Sequence, residues 1–166
     1  MGKNLLIIRH AKAIQYGYED DFNRKLRKKG IAQIEKMSST LAALKVYPDK
    51  IVSSAALRTK QTAEEFAKHL KYPLENIVLE QVMYDAYVEN ILKVINHLDN
   101  QYQTVFMIGH NPTFSYLADY LTGENQYVLP TCGMVNVYFQ TNDWAEVSGG
   151  LGETVWFKYP KMFAEV

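Results

Sequence analysis

The sequence predicts an α/β fold: a three-layer α/β/α sandwich whose sheet is mostly parallel and includes an antiparallel C-terminal strand. Two unbroken apolar runs, at 5–8 and 104–108, are typical of strands buried on both faces of a sheet. Segments with apolar residues at helical spacing alternate with the strand-like runs, as in a chain of βαβ units. Two later β-rich runs are joined by a glycine-containing turn, which is typical of an antiparallel pair.

The strands and helices are predicted from local patterns of apolar residues along the chain. Apolar and β-rich runs place strands at 5–8, 50–53, 77–79, 104–108, 134–139 and 154–157. Apolar residues at helical spacing place helices over 31–44, 66–70, 88–98 and 114–121. The last helix is expected to have Asn111 as its N-cap, Pro112 as its first residue and Gly123 at its end.

Length and composition limit the class of protein. A chain of 166 residues is expected to form a single domain over 1–166. Its 18 basic and 18 acidic residues cancel, so we expect no nucleic-acid partner and no polybasic membrane contact. Cys132 is the single cysteine, which leaves no internal disulfide and no thiolate zinc site. Apolar runs are too short for a signal peptide core or a membrane span, so a cytoplasmic location is expected.

Basic residues follow three of the predicted strands close to the point where each strand ends. The first apolar strand runs into Arg9 and His10, and the second apolar strand is followed by His110. Arg58 lies one helical turn beyond the end of the strand at 50–53. Because ligands of open α/β sheets bind beyond the carboxyl ends of the strands, we expect these four side chains to converge at one edge.

Two arginines and two histidines at one edge suit phosphoryl transfer. A guanidinium binds phosphate oxygens in a bidentate manner and keeps its charge, so Arg9 and Arg58 are expected to hold a phosphoryl dianion. A nearby cation favours neutral imidazole, which is the form that attacks phosphorus. The second histidine is expected to donate a hydrogen bond to an equatorial oxygen of the transferring group. This chemistry needs no metal and no cofactor, and none is expected.

The competing interpretations are weaker. A lone histidine after a strand is more often a loop or core residue, but here two occur in matched positions with two arginines. His69 and His97 lie among charged and polar residues of predicted helices, so we expect them on the solvent face and assign them no role. Cys132 is followed six positions later by Tyr138 and not by the arginine of thiolate phosphatases. The sequence also lacks a Walker A loop and a GxGxxG motif.

Three motifs carry a resemblance to a known family. They are LLIIRHAK at 5–12, SSAALRTKQTA at 53–63 and GHNP at 109–112. In this order, and across nearly the whole chain, they resemble the signatures of the histidine phosphatase superfamily, whose fold is phosphoglycerate mutase-like. The short chain and the Arg-His-Ala and Gly-His-Asn-Pro forms resemble most the SixA-type phosphohistidine phosphatases.

The resemblance implies roles for individual residues. His10 would be the nucleophile that becomes phosphorylated, while Arg9, Arg58 and His110 would complete the phosphate pocket. Asp85 occupies a position that resembles that of the family's general acid. The alternative for Asp85 is that it forms the N-cap of the helix that follows.

Lys25, Ala11 and Ala55 depart from the family pattern, and Ala55 stands where proline is frequent. Arg24 lies in a stretch that resembles the branch's Asp-x-x-Arg-Pro-Leu, with Lys25 in place of the proline. We expect Arg24 to belong to a solvated basic stretch rather than to contact substrate. Ala11 stands where the superfamily often has glycine, which affects only the backbone beside the nucleophile.

These observations predict a metal-independent phosphohydrolase that acts through phosphorylated His10 and water, with phosphohistidine on a protein as its substrate. A short connection after His10 leaves little sequence for a lid, so the pocket is expected to be open to a protein surface. One alternative is a phosphatase of small phosphate monoesters, which would depend on Asp85 because a departing alcohol needs a proton. A second alternative is a phosphate-binding module without turnover. The partner protein, the pathway and the oligomeric state do not follow from the sequence.

Overall fold

The computed structural model describes residues 2–15, 17 and 20–163. Within them, a six-stranded sheet lies between two layers of helices. The strands are β1 (Lys3–Arg9), β2 (Lys50–Ser54), β3 (Val78–Glu80), β4 (Thr104–Gly109), β5 (Met134–Phe139) and β6 (Glu153–Lys158). The α-helices are α1 (Lys28–Ala43), α2 (Leu57–Leu70), α3 (Val88–Asn96) and α4 (Thr113–Thr122).

The strand order across the sheet is β3-β2-β4-β1-β5-β6. The first four strands in this order are parallel, whereas β5 runs antiparallel to both β1 and β6. The predicted α/β fold with a mostly parallel sheet is therefore confirmed, with β5 as the strand that runs against the others. Arg9 pairs with Gly109, and Ser53 pairs with Ile108, so β1, β4 and β2 end side by side.

The core lies on both faces of the central strands. Leu5 and Ile7 of β1 face one helical layer, and Leu6 and Ile8 face the other, because successive side chains of a strand point to opposite faces. All four are completely buried, which explains why the first strand is a continuous apolar run. The first face is covered by α3 and α4, and the second by α1 and α2.

The beginnings of the helices differ from the predictions. α2 begins at Leu57, nine residues before Phe66, the first of the apolar residues that indicated this helix, because its first turns carry polar side chains that the apolar pattern does not include. α4 begins at Thr113 with Pro112 as its N-cap, so the prediction of Asn111 as N-cap and Pro112 as first helical residue is wrong by one position. Asn111 still accepts a hydrogen bond from the Ser115 amide at 3.2 Å. Gly123 ends the helix as predicted, with a left-handed φ of +73°.

Two expectations about the surface can be compared with the structure. His69 and His97 are exposed, as predicted, and His97 Nδ1 lies 2.7 Å from the carbonyl oxygen of Lys93. Among the described residues, no helix is both long and apolar enough to cross a membrane.

Candidate active site

The four residues predicted to bind phosphate lie at the carboxyl ends of adjacent strands. Arg9 is the last residue of β1 and His10 follows it, while His110 follows β4. Arg58 lies in the first turn of α2, just after β2. The centroids of the two imidazole rings are 5.6 Å apart, and both guanidinium charges act on the pKa of His10. The structure therefore brings the four predicted side chains together.

His10 is held by one ring nitrogen, and the other has no hydrogen-bond partner among the described residues. Nδ1 lies 2.8 Å from the carbonyl oxygen of Ala11. Since a carbonyl only accepts, Nδ1 carries the hydrogen and Nε2 carries a lone pair. Burial lowers the pKa of His10 to about 3, assisted by the charges of His110, Arg58 and Arg9. His10 is thus a neutral imidazole at physiological pH, with a lone pair on Nε2.

The backbone around His10 is fixed on both sides. The His10 amide donates to the Gly109 carbonyl at 3.1 Å, and the Cys132 amide donates to the His10 carbonyl at 3.0 Å. The next amide, that of Ala11, donates to the hydroxyl of Thr62 at 3.1 Å. Cys132 is fully buried beneath this segment, and burial raises the pKa of its thiol. Cys132 is accordingly a structural residue of the floor of the site.

His110 is oriented by Ser54 at the end of β2. His110 Nε2 lies 2.8 Å from the hydroxyl oxygen of Ser54, which also accepts from the Ala56 amide at 3.4 Å. Among the described residues this buried hydroxyl has no acceptor other than His110, so Ser54 donates and Nε2 accepts. The hydrogen of His110 then lies on Nδ1, which is buried and has no partner there.

The pKa of His110 is lowered to about 4 by burial and by the charge of Arg58. His110 is therefore neutral at physiological pH, like His10. It presents an N–H donor, whereas His10 presents a lone pair. His110 can therefore donate a hydrogen bond, whereas His10 can accept one or act as a nucleophile.

The two arginines are anchored by oxygen atoms of other segments. Arg9 Nη1 donates to the Leu129 carbonyl at 3.0 Å. Arg58 Nη1 donates to the Asp21 carbonyl at 2.7 Å, and its Nη2 donates to the Asp21 carboxylate at 3.0 Å. The Nε atom of each arginine is buried without a partner among the described residues. Each guanidinium thus keeps N–H groups that are available to phosphate oxygens.

Asp21 is a residue of the site that the sequence analysis missed. Its carboxylate accepts hydrogen bonds from Arg58, from Arg24 and from the hydroxyl of Tyr84. Burial raises the pKa of Asp21, but the hydrogen bonds of Tyr84 and Arg24 and the charge of Arg58 outweigh it and bring the pKa to about 2. Asp21 is therefore ionised and holds three segments of the site together.

Arg24 differs from its prediction. It was expected in a solvated stretch, but its Nε pairs with Asp21 at 2.9 Å and its Nη1 donates to the Ile14 carbonyl at 2.8 Å. The expectation is wrong because the loop folds back and brings these acceptors to the guanidinium. The spacing of Asp21 and Arg24 in the sequence, three positions apart, was the pattern that could have predicted this ion pair.

A cavity of about 220 Å³ opens beside Arg58 and His110. Asp85 lies on its wall, with a left-handed φ of +53°. The N-cap of α3 is Tyr87, whose amide donates to the Asn90 side chain at 2.8 Å. The alternative that Asp85 caps this helix is therefore wrong.

Tyr84 forms an aromatic wall between the loop of Asp21 and His110. Its ring lies edge-on to the ring of Phe22, with centroids 4.9 Å apart, and to the ring of His110 at 5.6 Å. Its hydroxyl donates to Asp21 at 2.7 Å. The sequence does not single out Tyr84, because an aromatic residue in a loop carries no signal of its own.

The chemistry of the site follows from these groups. Among the described residues, no group of three or more His, Cys, Asp and Glu side chains is placed to hold a metal ion. The positive charge comes from Arg9 and Arg58, whose planar guanidinium groups match phosphate oxygens. The site combines two guanidinium groups with two neutral imidazoles, which are groups that suit phosphate binding and nucleophilic attack.

A neutral histidine close to two arginines and a second histidine suits the transfer of a phosphoryl group through histidine. This chain matches the family model for branch 1 of the histidine phosphatase superfamily over residues 5–82. It is a hydrolase of the histidine-type phosphatase class, as the sequence predicts.

Solved structures share the fold over nearly the whole chain. The protein histidine phosphatase SixA complexed with tungstate superposes with a TM-score of 0.84 at 24% identity, covering 97% of this chain and 99% of that one. A candidate phosphohistidine phosphatase SixA from Agrobacterium tumefaciens superposes with a TM-score of 0.81 at 26% identity, covering 96% of this chain and 99% of that one. The predicted phosphoglycerate mutase-like fold and the likeness to SixA-type proteins are confirmed.

A shorter match exists among curated proteins. The serine/threonine-protein phosphatase Pgam5, mitochondrial, of Drosophila ananassae is 28% identical over 76 residues. The match covers 46% of this chain and 26% of that protein, so this chain spans about a quarter of the relative's length.

Proposed function

We propose that this protein is a metal-independent phosphohydrolase that removes the phosphoryl group from phosphohistidine on a protein, through a phosphohistidine intermediate on His10. The observation that carries the proposal is the hydrogen bond from His10 Nδ1 to the Ala11 carbonyl, which leaves Nε2 with a lone pair. The charges of Arg9 and Arg58 act on this ring, and the ring of His110 lies 5.6 Å away between centroids. The likeness to the protein histidine phosphatase SixA supports the substrate class.

The first half-reaction transfers the phosphoryl group to His10. Arg9 and Arg58 bind the phosphate oxygens, and His10 Nε2 attacks phosphorus opposite the leaving group. A bond forms between phosphorus and Nε2, while the bond to the substrate nitrogen breaks and its electron pair stays on the substrate imidazole. Nδ1–H of His110 donates to an equatorial oxygen and stabilises the charge of the transition state.

The second half-reaction returns the enzyme to its starting form. A water molecule attacks the phosphorus of phosphorylated His10, and the electron pair of the broken P–N bond returns to Nε2. Both hydrogens of the water leave with inorganic phosphate. Nδ1 of His10 keeps its hydrogen throughout, because the Ala11 carbonyl only accepts.

Leaving-group chemistry favours phosphohistidine over an ester. When the second nitrogen of the substrate ring carries a hydrogen, the departing group is a neutral imidazole and needs no acid. The cavity beside His110 is lined by Asp21 and Asp85, and Asp21 is ionised. Two carboxyl groups suit a neutral or protonated imidazole better than an anionic leaving group.

The test compares phosphate release from a phosphohistidine peptide and from p-nitrophenyl phosphate, with chelator present. The wild-type protein is expected to prefer the peptide and to form an acid-labile phosphoenzyme. His10→Ala is expected to lose at least roughly 10³-fold in kcat, because a nucleophile carries most of such a mechanism. His69→Ala is the matched control, since His69 is exposed and assigned no role. Activity that survives His10→Ala, or is lost in chelator, would contradict the proposal.

A second candidate function is hydrolysis of small phosphate monoesters, which the place of Asp85 on the cavity wall favours. An alkoxide leaves only with a proton, so Asp85→Asn should lower kcat on an alkyl phosphate by about 10²-fold if Asp85 is the acid. The phosphohistidine peptide should lose only a few-fold in the same variant. A preference of the wild-type protein for the alkyl phosphate would replace the first proposal by this one.

A further inference from the structure

A second groove, of about 260 Å³, lies between α1 and the turn at Pro160–Phe163. We call it the lysine groove because Lys29, Lys36 and Lys161 line it. None of these lysines pairs with a carboxylate within the part of the chain that the structure describes. Ala32 on α1 and Pro160 give the groove an apolar floor. The proposed reaction uses none of these residues.

The lysine groove adjoins the segment that carries His10. Gln33 lines the groove, and its side-chain oxygen accepts from the Lys12 amide at 2.9 Å. Lys12 is two residues from His10, so their Cα atoms are at most about 7.6 Å apart. The amide nitrogen of Gln33 donates to Thr131 at 3.0 Å, next to Cys132 in the floor of the site. One side chain therefore joins the groove to the backbone on both sides of the nucleophile.

The surface between the groove and the active site is strongly positive. The stretch from 22 to 34 contains five arginines and lysines and no acidic residue, although the whole chain has no net charge. Lys25, Arg27, Lys28 and Lys29 of this stretch are exposed. The loop that carries Lys25 is held against the segment after His10, because the Ile14 amide donates to the Lys25 carbonyl at 2.9 Å. Positive charge is thus concentrated at one side of the pocket.

Two lysines also stand at the end of α1 where positive charge destabilises a helix. α1 has no acidic residue in its first turn, and Lys28 and Lys29 stand there instead. Positive side chains at this end oppose the helix dipole and lower stability. A local arrangement that costs stability is expected where a surface serves binding.

We propose that the lysine groove and the adjoining cations of 25–29 dock an acidic segment of the protein whose phosphohistidine enters the active site. The inference rests on the proposed function and adds the chemistry of the partner. From Lys29 to Lys36 the helix rises about 10 Å, which matches roughly three residues of extended chain. Carboxylates of that segment face the lysines, and its backbone lies over the apolar floor.

The test uses two synthetic peptides, each with one central phosphohistidine, flanked by four glutamates in one peptide and by four glutamines in the other. The wild-type protein is expected to have a kcat/KM about tenfold higher for the glutamate peptide at low ionic strength, and the preference should vanish in concentrated salt. K29E/K36E should remove this preference without changing kcat/KM for the glutamine peptide or for p-nitrophenyl phosphate.

The matched control is K45E/K71E, which makes the same change in charge at the far ends of α1 and α2. Lys45 and Lys71 are exposed and lie next to the C-terminal ends of these helices, whereas the active site lies at their N-terminal ends. An equal loss of preference in this control would overturn the inference, because net charge and not the groove would then explain it. Unchanged p-nitrophenyl phosphate hydrolysis shows that each variant is folded.

The outcomes separate the two proposals. If wild-type protein hydrolyses both peptides equally well, the docking inference is overturned while the proposed function stands. If it hydrolyses p-nitrophenyl phosphate but neither peptide, the phosphohistidine function is wrong and the inference fails with it. A third measurement uses a fluorescent single-stranded oligonucleotide. If the wild-type protein binds it, K29E/K36E abolishes this binding and the glutamate peptide does not displace it, the groove is assigned to nucleic acid instead.

Discussion

His110 presents its N–H to the pocket only while Ser54 holds the other ring nitrogen. Ser54→Ala removes the donor to His110 Nε2, so the ring becomes free to take the other tautomer. We expect kcat to fall by roughly 10- to 100-fold on both peptide and aryl phosphate, less than for loss of a direct donor. Ser54→Thr keeps the hydroxyl and should restore most of the rate. Nitrogen NMR of His110 reports the tautomer directly.

Ser53→Ala is the control for this change, because Ser53 is equally buried and its hydroxyl donates a hydrogen bond to the Ser54 carbonyl and not to His110. A Ser54→Ala variant with normal kcat, or with an unchanged His110 tautomer, would show that Ser54 has only a structural role.

At the residue scale, the sequence predicted the four side chains that stand directly at strand ends. Strand ends are visible in a sequence because a buried apolar run stops abruptly at a charged residue. Asp21 was missed because its partners Arg58 and Tyr84 are 37 and 63 positions away. Contacts of that separation depend on how the loop folds back, which local patterns do not contain.

At the scale of elements, the loop between β1 and α1 positions Arg58. Its Asp21 supplies two acceptors to the guanidinium, and its Phe22 carbonyl accepts from the Leu57 amide at 2.9 Å, at the start of α2. Arg58 retains a free buried Nε, so Asp21 positions the guanidinium without blocking it. Asp21, Phe22 and the start of α2 are thus joined around Arg58 by hydrogen bonds.

Asp21→Ala should therefore raise KM for p-nitrophenyl phosphate by about tenfold and change kcat less, because the arginine fork loses its fixed orientation. Asp21→Asn, which keeps one carbonyl oxygen in the side chain, should have a smaller effect. Steady-state kinetics at fixed ionic strength measure both. A fall in KM would instead show that Asp21 competes with phosphate for Arg58.

The charges at the start of α1 give a stability prediction at the same scale. Lys28→Glu should raise the free energy of unfolding by about 0.3–1 kcal/mol, because it replaces an unfavourable charge at the positive end of the helix dipole. Urea denaturation measures the change, with Lys45→Glu beyond the other end of α1 expected to be neutral or destabilising. Destabilisation by Lys28→Glu would mean that Lys28 has an interaction that outweighs the dipole.

The existence of the helices was predicted from their apolar spacing, but their beginnings were not. The N-caps of α1 and α2 are Arg27 and Ala56, and neither makes a side-chain capping hydrogen bond. The usual signal for a helix start is therefore missing from the sequence. The first turn of α2 instead carries Arg58, whose place is set by the site.

For the whole molecule, two neutral buried histidines make stability depend on pH. The pKa values of His10 and His110 are about 3 and about 4 in the folded protein, against about 6.5 when unfolded. Below pH 6.5 the unfolded chain binds these protons first, so stability falls as pH falls toward the folded pKa values.

At pH 5 the shifted pKa of His10 should cost about 2 kcal/mol relative to pH 7.5. Urea denaturation at the two pH values measures this loss. His10→Gln should reduce the pH dependence by a similar amount, whereas His97→Gln, at an exposed position, should not. Equal pH dependence in His10→Gln and wild type would mean that His10 is not held neutral.

The fold class of the whole molecule was predictable because strands buried on both faces require helices on both sides. The strand order was not. β1 lies between β4 and β5, and β2 also pairs with β4, so neighbours in the sheet are far apart in the sequence. Such an order arises from crossover connections, which periodicity along the chain does not record.

The position of Cys132 has a practical consequence. As the only thiol of the chain, it lies fully buried with its amide bonded to the carbonyls of Arg9 and His10. A thiol reagent reaches Cys132 only when this floor opens. The labelling rate therefore measures how often the backbone next to His10 opens. Inorganic phosphate should slow labelling several-fold if anion binding holds Arg9 and Arg58 in place. An unchanged labelling rate would show that the floor opens independently of the anion. The labelling rate of Cys132 would then report local opening of the sheet around it.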